Sequence, residues 1–121
     1  MAFTYNKNDK LKSQKSIAQL FIDGKSVSAY PLRLVYLKHN DTLKVGVSVS
    51  KRNFKRAVDR IKIKRLLREA YRLNKPNILQ QEPQHFAIMI LYIGKDMPDY
   101  NLIDTKVKHV LTKFTQAVSN S

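Results

Sequence analysis

The chain has 121 residues, enough for one compact domain with a true core and too few for two. Its 23 Lys and Arg stand against 9 Asp and Glu for a formal charge of +14, and at 43% hydrophobic it is too apolar to be a disordered basic tail. The lack of cysteine excludes disulfide frameworks, thiol nucleophiles and cysteine-held metal centres, and the three histidines, His39, His85 and His109, stand too far apart for metal-ligand spacing.

From the N-terminus, Ser13 to Asp23 carries Ile17, Leu20 and Phe21 at helical spacing, with Ser13 placed to cap and Gly24 to stop, which predicts a first helix. Val27 to Leu37 is rich in β-formers and interrupted by Pro31. After the turn His39-Asn40-Asp41 comes Leu43 to Ser50 with Val45, Val47 and Val49 alternating, so two or three antiparallel strands are expected. Asp59 to Leu73 reads as a second helix ended by Pro76. Phe86 to Ile93 is a continuous apolar run of the kind buried on both faces, hence a central strand. Ile103, Val107, Val110, Leu111, Phe114 and Val118 mark an amphipathic last helix, with Asp99 and Asn101 as alternative caps. The order is α, two or three β, α, β, α: an α+β fold with a mixed sheet of about four strands and three helices. With no repeat or linker it reads as a single domain over residues 1–121, with about the first ten and the last few residues expected to be flexible.

Nearly half of the cations fall in one segment, comprising Lys51, Arg52, Lys55, Arg56, Arg60, Lys62, Lys64, Arg65, Arg68, Arg72 and Lys75 against only Asp59 and Glu69. At about 100° per residue, Ile63, Leu66, Leu67, Ala70 and Tyr71 share the arc that faces the core, while Ile61, Lys64, Arg65, Arg68 and Arg72 lie on the opposite arc with Lys62 near its edge. Like charges four residues apart, as in Arg60, Lys64, Arg68 and Arg72, disfavour an isolated helix by roughly a few tenths of a kcal/mol per pair. The stripe therefore points to a polyanionic partner, against the competing reading of a solvated face. Nucleic acid gains from counterion release. An anionic membrane is the weaker candidate without a spanning apolar run, signal peptide or lipidation motif, so a cytoplasmic protein is expected. Ile61, amid the cations, has two readings, packing on a neighbouring loop or lying against a sugar or base of the bound nucleic acid.

The stretch Val47-Ser-Val-Ser-Lys-Arg52, followed by Ala57-Val58-Asp59-Arg60-Ile61-Lys62-Ile63-Lys64-Arg65-Leu66-Leu67-Arg68-Glu69, resembles the signature of the bacterial ribonuclease P protein family, and element order, length and charge carry the resemblance over almost the whole chain. It implies a fold like ribosomal protein S5 domain 2. In the family motif the basic helix opens Arg-Asn-Arg, then one residue, then Lys-Arg. Arg60, Lys64 and Arg65 match, Ile61 replaces the asparagine and loses its polar contact, and Lys62 exchanges a planar fork for a point charge. The linker from Lys51 to Arg56 lacks the family's glycine and carries Asn53-Phe54 with one residue more, so its conformation is expected to differ.

The resemblance implies two RNA-binding surfaces. Lys51, Arg52, Lys55, Arg56, Arg60, Lys62, Lys64, Arg65, Arg68 and Arg72 would screen phosphates of a catalytic RNA. A cleft drawing on Ile17, Phe21, Arg33, Val35 and Tyr36 would hold the single-stranded 5′ leader of precursor tRNA. Arg33 and Val35 share one strand face and Leu34 and Tyr36 the other, leaving open which face lines the cleft; Phe21 and Tyr36 are equally readable as core. The chain offers neither paired carboxylates with a histidine nor an acidic cluster able to hold two metals. On the resemblance, the RNA subunit performs the endonucleolytic hydrolysis with Mg2+ that the RNA mainly holds. The protein would then be a non-catalytic subunit whose partners are ribonuclease P RNA and precursor tRNA, with no obligate protein partner and no membrane. Rival classes are a ribosomal or other structural RNA-binding protein without a role in cleavage, a protein-only nuclease, and a DNA-binding protein. The last usually pairs its recognition helix with a supporting helix, whereas strands flank this one.

Overall fold

Four strands make one sheet in the order β1-β2-β4-β3 in a computed structural model that describes residues 20–38, 44–78 and 86–119. β1 (Lys25–Ala29) and β2 (Leu32–Lys38) form an antiparallel hairpin about a cis Tyr30–Pro31 bond, and β2 pairs antiparallel with β4 (Phe86–Tyr92). β3 (Lys44–Val49) runs parallel to β4. The sheet is therefore mixed, as expected: β3 runs opposite to β2, but its hydrogen-bonded neighbour is β4 and not β2. The alternation of Val45, Val47 and Val49 reports that one face is buried and carries no information about the direction of the neighbouring strand. Parallel pairing requires a long crossover, supplied here by the helix α2 (Ala57–Ile78), while α3 (Tyr100–Ser119) closes the chain. The turn at His39 and the start of the first helix, with Ser13 and Ile17, lie outside the described residues.

One face of the sheet packs on both long helices. Leu32, Leu34, Val45, Val49, Ile88, Ile90 and Tyr92 meet Ile63, Leu67, Ala70 and Tyr71 of α2 and Ile103, Val107, Val110, Leu111 and Phe114 of α3. The arc of α2 expected to face the core is therefore the buried one, with Leu66 half-buried at its margin. On the outer face Leu20 is fully buried with Val35, Ala87 and Met89, so β4 buries both of its faces, as a central strand must. Leu20 belongs to residues 20–23, which are helical (α1). The Gly24 N–H closes this turn on the Leu20 carbonyl at 2.9 Å. A side chain at position 24 would run into that carbonyl and meet Val35 Cγ1 at 2.9 Å and the Tyr36 carbonyl at 3.0 Å. Close approach to β2 is what demands glycine there.

α2 continues through Pro76 to Ile78, beyond the expected end. A proline in the last turn removes one N–H that would have met the Arg72 carbonyl, a small loss at a terminus. Tertiary contacts hold the end in place: the buried Asn74 amide donates to the Ala70 carbonyl at 2.8 Å and to Asp104 Oδ1 on α3 at 2.7 Å. Of the two candidate caps of α3, Asp99 is the one used, its Oδ1 accepting the Leu102 N–H at 2.8 Å.

The Asn74 amide, and then Lys108 at 3.0 Å, hold the Asp104 carboxyl below the ordinary carboxylate range. A depressed folded pKa stabilises the fold above the unfolded value, about 3.9, and that contribution is lost as pH falls through the folded value. Asp104→Asn is expected to lower the melting temperature at pH 7, with the deficit closing as pH falls below about 4. Thermal unfolding from pH 7 to pH 3 checks this, and a deficit constant over that range would show that the charge is not involved.

Candidate nucleic-acid interface

The outward arc of α2 is the first surface. Lys62, Arg65 and Arg68 are exposed and Lys64 is half-buried beside them. Neither the side chains of these four nor those of Lys51, Arg52 and Lys55 make a hydrogen bond or ion pair with another described residue. Arg72 differs: its Nε and Nη2 donate to Glu69 at 3.3 and 2.5 Å, and that hydrogen bond raises its pKa above the usual arginine value. Its charge is neutralised within the helix. Arg56 lies 3.9 Å from Asp59 in an exposed pair of little energetic weight.

Arg60 also has partners within the protein. Its Nη1 donates to the Phe54 carbonyl at 2.7 Å and to the Lys55 carbonyl at 2.9 Å, folding the guanidinium back onto the preceding loop. That loop has further anchors. Phe54 is 7% exposed, in the core, with its ring 5.8 Å from Tyr92, and the Asn53 amide donates to the Gly94 carbonyl at 3.2 Å across to the loop after β4. Asn53 and Phe54 thus pin the loop at its middle, and Arg60 pins its end. Lys51, Arg52, Lys55 and Arg56 are left exposed, flanking the start of α2. Charge and spacing do not reveal Asn53 and Phe54 as anchors of this loop; an aromatic between cations in a loop is the available signal.

The outer face of the sheet is the second surface. Arg33 is exposed there in register with Ser28, and its Nη2 approaches Ser26 Oγ at 3.4 Å. Val35 shares that face but is 4% exposed beneath Leu20, so it seats α1 and cannot touch a ligand. Phe21 is 51% exposed on α1, which removes it from the core. Tyr36 points to the opposite face, where its ring meets Phe114 at 5.1 Å and Phe86 at 6.2 Å. The expected cleft set is thereby divided. Arg33 and Phe21 stand exposed on the side that α1 occupies, Val35 lies under them, and Tyr36 belongs to the core side. Ile17 falls outside the described residues.

Beside Tyr36 a cavity of about 250 Å³ opens among Asp23, Lys25, Leu37, Lys38, Phe86, Ala117 and Val118. Among the described residues no three His, Asp or Glu side chains gather where they could hold a metal ion, and no helix is long and apolar enough to cross a membrane.

Comparison with known proteins adds four likenesses. Residues 5–115 match the Ribonuclease P family model. A Porphyromonas gingivalis protein named ribonuclease P protein component is 33% identical over 126 residues, covering 98% of this chain and 92% of its own. The solved RNase P protein of Staphylococcus aureus superposes with a TM-score of 0.72 at 24% identity, over 89% of this chain and 95% of its own, and the Thermotoga maritima RNase P protein gives 0.71 at 24%, over 86% and 96%.

Proposed function

The chain belongs to the ribonuclease P protein family and so is the protein subunit of a ribonucleoprotein endoribonuclease of tRNA processing whose RNA subunit is catalytic, and we propose that it binds that RNA through the outward arc of α2 and the 5′ leader of precursor tRNA on the outer face of the sheet. The observation that carries this reading is the row of exposed cations Lys62, Arg65 and Arg68, continued by Lys51, Arg52, Lys55 and Arg56, none committed to a strong pairing with another described residue. Each phosphate neutralised releases counterions, so such a row gives affinity that falls steeply with salt. It also supplies rigidity: a helix seated by Ile63, Leu67, Ala70 and Tyr71 and a loop pinned by Asn53, Phe54 and Arg60 present their charges without further ordering. Lys64, half-buried, contributes from the margin of the same row.

On the outer face, Arg33 would meet leader phosphates and Phe21 would offer a surface on which a base stacks, the pairing of cation and aromatic that single strands need. Arg60 and Arg72 are assigned supporting parts, Arg60 in shaping the loop and Arg72 in offsetting Glu69. The magnesium is assigned to the RNA subunit, where it would supply activated water for hydrolysis of one phosphodiester. The protein's part is affinity, through screening of RNA repulsion and capture of the leader, and the site of action is the cytoplasm.

Cleavage of a precursor tRNA at low magnesium tests the reading. Product with the mature 5′ end is expected when ribonuclease P RNA and the protein are both present, and little from the RNA alone. No stimulation with the cognate RNA folded and bound would favour a structural RNA-binding role.

A further inference from the structure

Two β-branched side chains interrupt the cationic arc. Val58 is 62% exposed and Ile61 55% exposed, on the first two turns of α2. Three residues apart, they are neighbours on the helix surface. At about 100° per residue both point within about 40° of Arg65, with Lys62 to one side and Arg68 to the other. Lys55 and Arg56 stand exposed just before them in the chain. A solvated helix gains nothing from two such residues at the middle of its most charged face.

We infer that Val58 and Ile61 form an apolar contact with the RNA subunit, against the face of a sugar or base, and so give α2 a share of its affinity that salt does not weaken. The inference rests on the reading of α2 as the RNA-binding face, because an RNA that meets Lys62, Arg65 and Arg68 together must also cover the two apolar side chains. Charge selects this occupant over others. An apolar protein surface laid on the patch would desolvate the surrounding cations without compensation. A second copy of the chain would bring its own +14 against the first. A polyanion alone satisfies both the rim and the centre. The side chains are suited to the role: restricted at χ1, they lose little freedom when covered.

The two contributions to affinity have different salt signatures. Phosphate contacts weaken linearly in the logarithm of salt concentration, by about 0.9 per contact for duplex nucleic acid, whereas apolar burial is not screened. The test is therefore binding of the double variant Val58→Ala, Ile61→Ala to its cognate ribonuclease P RNA over a series of potassium chloride concentrations. Alanine keeps the helix, and both positions are exposed, so the fold is retained. The expected result is a dissociation constant raised about tenfold at every salt concentration with an unchanged slope, the effect of withdrawing on the order of 55 Å² of apolar contact. Affinity within about twofold of the parent, or a changed slope, overturns the inference. The variant Lys62→Ala, Arg65→Ala, Arg68→Ala in the same titration separates the two readings. If its slope falls while the double variant binds like the parent, the apolar contact is refuted and the α2 surface stands; if neither variant differs from the parent, both are refuted. Sedimentation closes the remaining alternative, since self-association of the parent that the double variant loses would assign the patch to a second copy and overturn the inference.

Discussion

Replacing Lys62, Arg65 and Arg68 together by alanine is expected to weaken binding of the ribonuclease P RNA by about 10²- to 10³-fold near 0.1 M salt, and to lower the slope of log affinity against log salt by nearly three. The magnitude follows from counterion release, since each neutralised phosphate contributes about one decade at that concentration and almost none near 1 M. The binding curves of variant and parent should accordingly converge as salt rises. Leader cleavage at low magnesium should fall towards the rate of RNA alone and recover when protein is raised by the same factor. An unchanged slope would remove α2 from the interface. A trivial loss through unfolding is not expected, because the three side chains are exposed and unpaired within the described residues, and thinning a like-charged stripe favours the helix by a few tenths of a kcal/mol. The melting temperature should hold or rise.

The same charge in two settings has different consequences on this helix. Arg72 lies on the outward arc, yet Glu69 takes its Nε and Nη2 donors, so its charge is offset by a carboxylate within the helix. Arg60 is near the start of the arc and spends two donors on loop carbonyls. Counting cations on a helical wheel does not separate such residues from unpaired ones, because the wheel gives direction and not partners.

Much of the fold was legible from apolar periodicity. The buried arc of α2, the double-sided burial of β4 and the inward stripe of α3 follow from the spacing of Ile63 and Leu67, the run Phe86 to Tyr92, and Ile103 to Phe114. Those signals are strong because each reports burial along a single element. The parallel pairing of β3 and the division of Arg33 and Val35 from Tyr36 depend on which elements meet, and alternation along one strand is the same for either answer. Phe21 and Tyr36 show the limit well: two aromatics, one left half in solvent on a short helix and the other packed on Phe86 and Phe114. Pro76 misled for a related reason. A local breaker ends a helix by default, and here tertiary bonds of Asn74 to Ala70 and Asp104 outweigh the single lost hydrogen bond.

Phe114→Ala is expected to produce the largest loss of stability. Phe114 is fully buried where α3 crosses β2 and β4, with ring centroids 5.1 Å from Tyr36 and 5.5 Å from Phe86, both edge-on. Truncation removes the apolar contacts, leaves a cavity between three elements and breaks two aromatic pairs, which together cost about 3–5 kcal/mol. Against a total stability of about 5–15 kcal/mol, this is a drop in melting temperature of roughly 10–20 °C for a chain of this length. RNA should offset part of it, because a ligand that binds only the folded protein stabilises it by about 2.7 kcal/mol at a hundred times its dissociation constant. Phe114 touches neither proposed surface, so the variant should bind RNA with near-normal affinity below its melting temperature and regain several degrees when the RNA is present at that excess. A loss of RNA affinity in the folded variant would instead mean that the Tyr36, Phe86 and Phe114 cluster, and the cavity beside it, take part in binding.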